Sequence, residues 1–270
     1  MNFSVLMSIY NKEEAKYFNR AMQSIWDEQT VKPDEIILVE DGPLTDDLYS
    51  SIDEWKKKIG ELFKIIRLEA NVGLGNALNQ GAKHCSYELI ARMDTDDISL
   101  PIRFEKQLKV FNEKDVDVCS AFISEFEDNE KNIVSYRKIP EQHEDILRYS
   151  KLRNPVNHIP SMFKREILEK VGGYKDMLWF EDYYLWARMM QSGARFYNIQ
   201  ESLANIRSGY GQLERRSGLA YAIEEFKFLN TLRKINFLTK IHFIKVFLIR
   251  FIARLMPKNL LKLIYKKIRS

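Results

Sequence analysis

Asp94, Asp96 and Asp97 put three carboxylates within four residues, just after the apolar pair Leu89-Ile90 and the segment Ala91-Arg92-Met93. A buried, extended segment that ends in such a cluster is costly unless the charges meet cations. Hard oxygen donors suit Mg²⁺ or Mn²⁺, which proteins hold through one or two carboxylates together with substrate phosphates. The carboxyl end of a strand is also where an open α/β sheet places its ligand. A second acidic pair, Glu181-Asp182, opens a stretch running to Gln191 that reads as a helix, and offers a general base. Each group has a plainer alternative. The first would be a solvated turn capping the helix that Pro101 opens, Asp and Ser99 being good N-caps. The second would be two acids complementing a helix dipole.

Other residues stand at comparable positions. Ser8-Ile9-Tyr10-Asn11 and Glu40-Asp41-Gly42 each follow an apolar run. Tyr10 could lie against a base, and Asp41 could accept from a base N–H or a ribose hydroxyl. Asn71 and Gly73, at a helix start, could offer backbone N–H groups to phosphate. The alternatives are a packing tyrosine, an ordinary Asp-Gly turn, and loop glycines at 73 and 75. Gly73 and Gly75 do not make a dinucleotide fingerprint, because the rest of that motif is missing.

These residues need elements to position them. Apolar runs at 3–9, 36–39, 63–68 and 87–93 predict buried strands. Between them, 13–29 reads as a helix with Phe18, Met22, Ile25 and Trp26 inward. A second helix runs through Leu48, Ile52 and Trp55, and a third contains Ala77, Leu78 and Ala82. Repeated strand–helix units predict an α/β fold with a mainly parallel central sheet flanked by helices. In such a sheet the three strand ends share one edge. Beyond about residue 115 shorter strands, 116–126 and 133–136, mix into the pattern.

The chain has 270 residues, 45% hydrophobic and 30% charged, which is ordinary for a globular protein with a substantial core. Cys85 and Cys119 have no metal-ligand spacing and suggest no disulfide framework, so a reducing compartment is expected. Residues 1–5 lead straight into a strand pattern without the basic region of a signal peptide. No uncharged apolar run reaches the ~18–20 residues of a membrane span. A cytoplasmic location is the expectation.

Charge is distributed unevenly. Residues 226–270 hold 12 Lys or Arg and no acid, which leaves 30 of the 42 basic residues against all 38 acidic ones, net −8, in 1–225. The break predicts a catalytic body over 1–225, with halves 1–115 and 116–225, and a basic helical tail over 226–270. On a helical wheel for 258–269, Lys258, Lys262, Lys266 and Arg269 oppose Leu260, Leu263, Ile264 and Ile268. That is the pattern of a helix lying in an anionic membrane interface. Packing back on the body, or a homodimer contact, is the alternative. The tail's charges sit among aliphatic residues, so nucleic acid is not an expected partner.

Taken in order, Val5-Leu6-Met7-Ser8-Ile9-Tyr10-Asn11, Val39-Glu40-Asp41-Gly42, Asn71-Val72-Gly73 and Asp94-Thr95-Asp96-Asp97 resemble an inverting family 2 glycosyltransferase of the GT-A fold. Val171-Gly172-Gly173-Tyr174 and the segment from Trp179 through Glu181-Asp182 to Arg188 are similar to the acceptor-side motif of that family. Asn154-Pro155-Val156-Asn157-His158 resembles the branch that builds bacterial exopolysaccharide, capsule and O-antigen, amylovoran-type enzymes included. The likeness spans about residues 3–210. It departs at Glu40, where the family usually has Asp, and in lacking the Gln-x-x-Arg-Trp motif of processive synthases, so transfer of a single sugar is expected.

The resemblance implies a nucleotide diphosphate sugar donor, a UDP-sugar foremost, and a lipid-linked saccharide acceptor at the cytoplasmic face of the inner membrane. It implies a nucleotide site formed by Ser8, Tyr10, Asn11, Glu13, Asp41, Asn71, Gly73, Arg92, Asp94 and Thr95. Mn²⁺ or Mg²⁺ would be held by Asp96, with Asp94 on ribose or a metal-bound water and Asp97 orienting. Asp182 would be the base, with Glu181 beside it. Arg92 either faces the diphosphate or pairs with Asp97. His158 would touch phosphate, metal or acceptor, or else be structural. Trp179 is placed on the acceptor side. Arg207 stands in 205–211, which reads as a mobile basic loop able to fold over the diphosphate. A sugar nucleotidyltransferase and a catalytically silent membrane scaffold are the rival readings. Residues 8–14 lack the glycines of the former's phosphate loop, and the intact acids count against the latter.

Overall fold

The computed structural model describes residues 1–207 and 218–255. Its first half alternates as the apolar runs predict: β1 (Phe3–Ile9), α1 (Ala15–Trp26), β2 (Glu35–Glu40), α2 (Asp46–Ile59), β3 (Phe63–Arg67), α3 (Leu74–Ala82) and β4 (Leu89–Arg92). The second half is mixed: β5 (Ile98–Ser99), α4 (Arg103–Glu113), β6 (Val118–Phe126), β7 (Ile133–Arg137), α5 (His143–Tyr149), β8 (Met162–Lys164), α6 (Arg165–Lys170), α7 (Glu181–Gln191) and β9 (Phe196–Arg207). Two helices follow, α8 (Leu219–Lys234) and α9 (Lys240–Leu255).

Among the described residues one sheet runs β3-β2-β1-β4-β8-β6-β9-β5, with β7 paired to β6. The longer pairings, β1 with β2 and β4, β2 with β3, and β6 with β9, are parallel. The short ones made by β5, β7 and β8 are antiparallel. Strands covered on both faces read as continuous apolar runs, which is why β1, β2 and β4 were visible in sequence. Val5, Met7 and Ile9 enter one core layer with Phe18 and Phe104, while Leu6 enters the other with Leu78, Phe163 and Trp186. The charged ends of β2 are paired in place. Glu35 meets Lys64 at 2.6 Å and Glu40 meets Arg67 at 3.0 Å.

Residues 226–251 share the core of the body, as in the alternative of a tail packed back on it. The composition break at 225/226 falls inside α8, whose Phe228, Leu229 and Leu232 are fully buried. Phe228 stacks on Phe180 at 4.5 Å between ring centroids. Phe237, Leu238 and Val246 join the same core layer, and Arg250 pairs with the buried Glu225 at 2.8 Å. This part of the tail therefore packs on the body. Aromatic residues stand among its aliphatic ones, with Phe226 against Phe243 and Phe247. The wheel over 258–269 lies outside the described residues.

Candidate active site

Parallel register aligns the carboxyl ends of three strands, pairing Ile9 with Glu40 and Leu6 with Arg92. Tyr10 and Asn11 leave β1 exposed on this edge, with Ser8 partly exposed before them. The chain then turns, the Glu13 N–H donating to the Tyr10 carbonyl at 3.1 Å. Asp41 leaves β2 buried, and its carboxylate accepts the N–H groups of Val72 at 2.7 Å and Gly73 at 3.1 Å. The Asn71 amide donates to the Asp41 carbonyl at 3.2 Å. The Gly73 N–H therefore serves Asp41 instead of reaching outward to a phosphate as the sequence suggested. Asp41 organises the start of α3. Gly42 permits this approach: it adopts φ +85°, and a Cβ there would lie 2.7 Å from the Asn71 nitrogen.

The acid cluster is not a solvated cap. Helix α4 begins at Arg103 behind Ile102 with no side-chain cap, Ser99 is buried in β5, and Asp97 is only 3% exposed. Asp97 accepts the Arg207 N–H at 2.8 Å, which ties the end of β9 to the cluster. Arg92, fully buried, pairs with Asp94 and not with Asp97. Arg103, also fully buried, donates to the Arg92 carbonyl at 2.7 Å and holds the end of β4. Burial pushes the Asp96 carboxyl up to about 6, with Asp94 adding repulsion, and pushes Asp97 well above its ordinary value, with Asp96 and Asp94 adding to it. Burial, then Asp96 and Asp94, lift Glu13 to about 7. Glu13, Asp96 and Asp97, each raised in part by neighbouring carboxylates, form with Asp94 a negative well suited to a cation. Thr95 is buried among them. Among the described residues no three His, Cys, Asp or Glu side chains are grouped to hold a metal by themselves. The donor set fits a divalent ion whose shell is completed by phosphate oxygens and water.

Arg207 is the last residue of β9, not part of a loop at that position; residues 208–211 lie outside the described residues. Its guanidinium covers the Tyr17 ring at 3.8 Å and donates to the Asp96 carbonyl at 3.3 Å.

Adjacent to the cluster is a cavity of about 190 Å³ lined by His158, Tyr174, Glu181, Asp182, Leu74 and Arg137, among others. Arg92 connects the two regions: its backbone N–H donates to the Ser161 carbonyl at 2.9 Å, and the Ser161 hydroxyl donates to the His158 carbonyl at 2.6 Å. Asp182 lies in the first turn of α7, where Asn154 donates to Oδ2 at 2.6 Å and the Tyr183 N–H to Oδ1 at 2.7 Å. Burial lifts the Glu181 carboxyl to about 7, and Asp182 adds to the rise. Burial, then Arg92, hold His158 well below the usual range, so its ring is neutral and shares a 2.9 Å hydrogen bond with the Tyr174 hydroxyl. Trp179, at φ 67°, stacks on Tyr221 at 5.0 Å and stays 42% exposed on the approach to α7. Sequence reasoning assigned no role to Asn154, Tyr174 or Arg103. Asn154 and Tyr174 stood within the quoted motifs, whereas a buried arginine in α4 carried no local signal.

Residues 4–172 match Glycosyl transferase family 2. The chain is 38% identical over 267 residues to the UDP-Gal:alpha-D-GlcNAc-diphosphoundecaprenol beta-1,3-galactosyltransferase of Escherichia coli, covering 98% of this chain and 96% of that one. It is 35% identical over 272 residues to the amylovoran biosynthesis glycosyltransferase AmsE of Erwinia amylovora, covering 99% of both. In fold it is similar to S. aureus TarS 1-349 in complex with UDP-GlcNAc, with TM-score 0.65 and 17% identity over 85% of this chain and 66% of that one. It is likewise similar to the mannosyltransferase PcManGT of Pyrobaculum calidifontis in complex with GDP-Man and Mn²⁺, with TM-score 0.63 and 17% identity over 91% of this chain and 68% of that one. The strand-end acids, the parallel sheet that aligns them and the likeness along the whole chain lead to one conclusion: this chain belongs to glycosyltransferase family 2 and is a glycosyltransferase of GT-A-like fold.

Proposed function

We propose that the enzyme moves one sugar from a nucleotide diphosphate sugar, a UDP-sugar foremost, to a lipid-linked saccharide, inverting the anomeric centre. The observation that carries this reading is the adjacency of the two acidic regions. The strand-end cluster and the cavity of Asp182 are bridged by Arg92, which pairs with Asp94 on one side and on the other donates its N–H to Ser161, whose hydroxyl donates to the carbonyl of the cavity residue His158. The relatives support it: one is a UDP-Gal:alpha-D-GlcNAc-diphosphoundecaprenol galactosyltransferase, and structural neighbours hold UDP-GlcNAc, or GDP-Man with Mn²⁺.

In this scheme Ser8, Tyr10, Asn11 and the Asp41–Asn71 turn receive the nucleoside. Asp96, with Asp94 held by Arg92, would bind Mn²⁺ or Mg²⁺, which when bound offsets charge growing on the departing diphosphate. Asp182, oriented by Asn154, takes the proton of the acceptor hydroxyl as its oxygen attacks the anomeric carbon. The bond from that carbon to the diphosphate breaks, and the nucleoside diphosphate leaves with the electron pair. Neutral His158 and Tyr174 shape the cavity, and Trp179 offers an exposed face for an acceptor sugar. The basic C-terminal region would bring the enzyme to an anionic membrane on the cytoplasmic side, where the lipid-linked acceptor is held. No helix among the described residues is long and apolar enough to cross a membrane, which accords with transfer of one sugar rather than extrusion.

Calorimetric titration with nucleotide diphosphates, with and without Mn²⁺, followed by transfer assays on lipid-linked saccharides, tests the reading. It predicts metal-enhanced nucleotide binding and a product of inverted configuration; retained configuration would overturn it.

A further inference from the structure

Helix α9 is apolar on two sides. One side packs inward through Val246, with Phe243 and Phe247 beside it. The other presents Ile241, Ile244, Leu248 and Ile249, which are 78%, 55%, 52% and 59% exposed. Residues 241, 244 and 248 recur at the spacing of a single helical stripe. An exposed aliphatic ridge of this kind marks an interaction surface.

At the flank of the ridge, between α5 and α9, lies a cleft of about 370 Å³. Arg148 and Lys151 reach it from α5 and the turn beyond, His242 and Lys245 from α9, and Glu144 lines it as well. The Lys151 ammonium is held at 3.0 Å by the Phe237 carbonyl and lies 3.5 Å from the centre of the Phe237 ring. Arg148, Lys151 and Lys245 meet here beside an aliphatic ridge, with Arg148 also paired to Asp145 at 2.5 Å; α9 itself belongs to a 45-residue region, 226–270, that has no acid. Basic cleft and aliphatic ridge together match an anionic phospholipid, with its phosphate towards the cleft and its acyl chains along the ridge.

We infer that the α5–α9 cleft seats the phosphate of an anionic membrane lipid while Ile241, Ile244 and Leu248 enter the acyl-chain region. The inference rests on the membrane reading above and deepens it, locating a lipid site in the packed part of the chain. The site is also coupled to the acceptor side. The turn after α5 leads from Lys151 to Asn154, the partner of Asp182, and Arg250 of α9 donates to the Leu152 carbonyl at 2.6 Å. Docking by this face would set the acceptor cavity near the lipid surface.

The test is co-sedimentation of the full chain with vesicles of phosphatidylcholine alone or mixed with phosphatidylglycerol. The variants are Arg148→Glu/Lys245→Glu for the cleft, Ile241→Asp/Ile244→Asp for the ridge, and Lys57→Glu/Lys83→Glu as an exposed control with the cleft variant's change of net charge. The wild type should pellet with the anionic vesicles. The cleft and ridge variants should each bind at least about tenfold more weakly, the control should bind like the wild type, and nucleotide diphosphate affinity should be unchanged in all. Wild-type binding that survives in both variants would overturn the cleft and leave the membrane reading standing. A wild type that never pellets would overturn both. Loss of inorganic phosphate binding in the cleft variant, with vesicle binding intact, would make the cleft a free-anion site. A ridge variant that turns a dimer into a monomer yet binds vesicles normally would make the ridge a contact between copies. Either result removes the lipid assignment.

Discussion

The side-chain amide of Asn154 lies 2.6 Å from Oδ2 of Asp182, joining the loop before β8 to the first turn of α7. With the Tyr183 N–H on Oδ1, it fixes the plane of the Asp182 carboxylate at the mouth of the cavity. Hydrogen bonds to charged groups contribute about 1.5–3 kcal/mol. Asn154→Ala should therefore lower kcat about tenfold or more while nucleotide affinity holds, with Asn154→Asp worse because it sets a second negative charge against Asp182. Steady-state kinetics beside calorimetry check this; an unchanged kcat in Asn154→Ala would remove the positioning role.

Asp96→Asn should nearly abolish transfer and remove the enhancement of nucleotide binding by Mn²⁺, with the melting temperature maintained. Excess EDTA should do the same to the wild type, and added Mn²⁺ should reverse it. Full activity in EDTA would show that the acid cluster serves some other end.

Glu181 gives a signed pH dependence. Burial lifts its carboxyl to about 7, against ~4.3 for an unfolded glutamate. Between those values the folded chain keeps a proton that the unfolded chain has released, so this residue's contribution to stability falls as pH rises through the window. Glu181→Gln removes that loss. Its melting temperature, measured from about pH 5 to about pH 8, should exceed that of the wild type by a margin that grows with pH. A margin independent of pH would contradict the buried carboxyl.

Phe228, fully buried and stacked on Phe180, tests whether α8 is part of the body. Truncating a core phenylalanine costs about 3–5 kcal/mol. Urea denaturation of Phe228→Ala should show that loss; a loss below about 1 kcal/mol would return the helix to a detachable tail.

The frame was legible because β1, β2 and β4 are covered on both faces and so appear as unbroken apolar runs. The strand-end residues were legible because a parallel sheet brings successive carboxyl ends to one edge. What escaped depended on tertiary neighbours. Arg92 had Asp94 and Asp97 within five residues, and only the burial of Asp97 against Arg207 settles the choice. Gly73 reads as a phosphate donor until Asp41 is seen to take its N–H. The composition of 226–270 hid α8, because its basic residues lie on the outer face while Phe228, Leu229 and Leu232 turn inward.

The central claim is that Asp182 removes the acceptor proton from across the cavity while the strand-end acids hold the donor. Its most direct test is the rate of sugar transfer by Asp182→Asn measured with its affinity for the nucleotide diphosphate. The account predicts unchanged affinity and a rate lower by about 10²–10⁴, the usual contribution of a general base. Near-normal transfer by Asp182→Asn would contradict it and move the base elsewhere, with Glu181 the next residue to substitute.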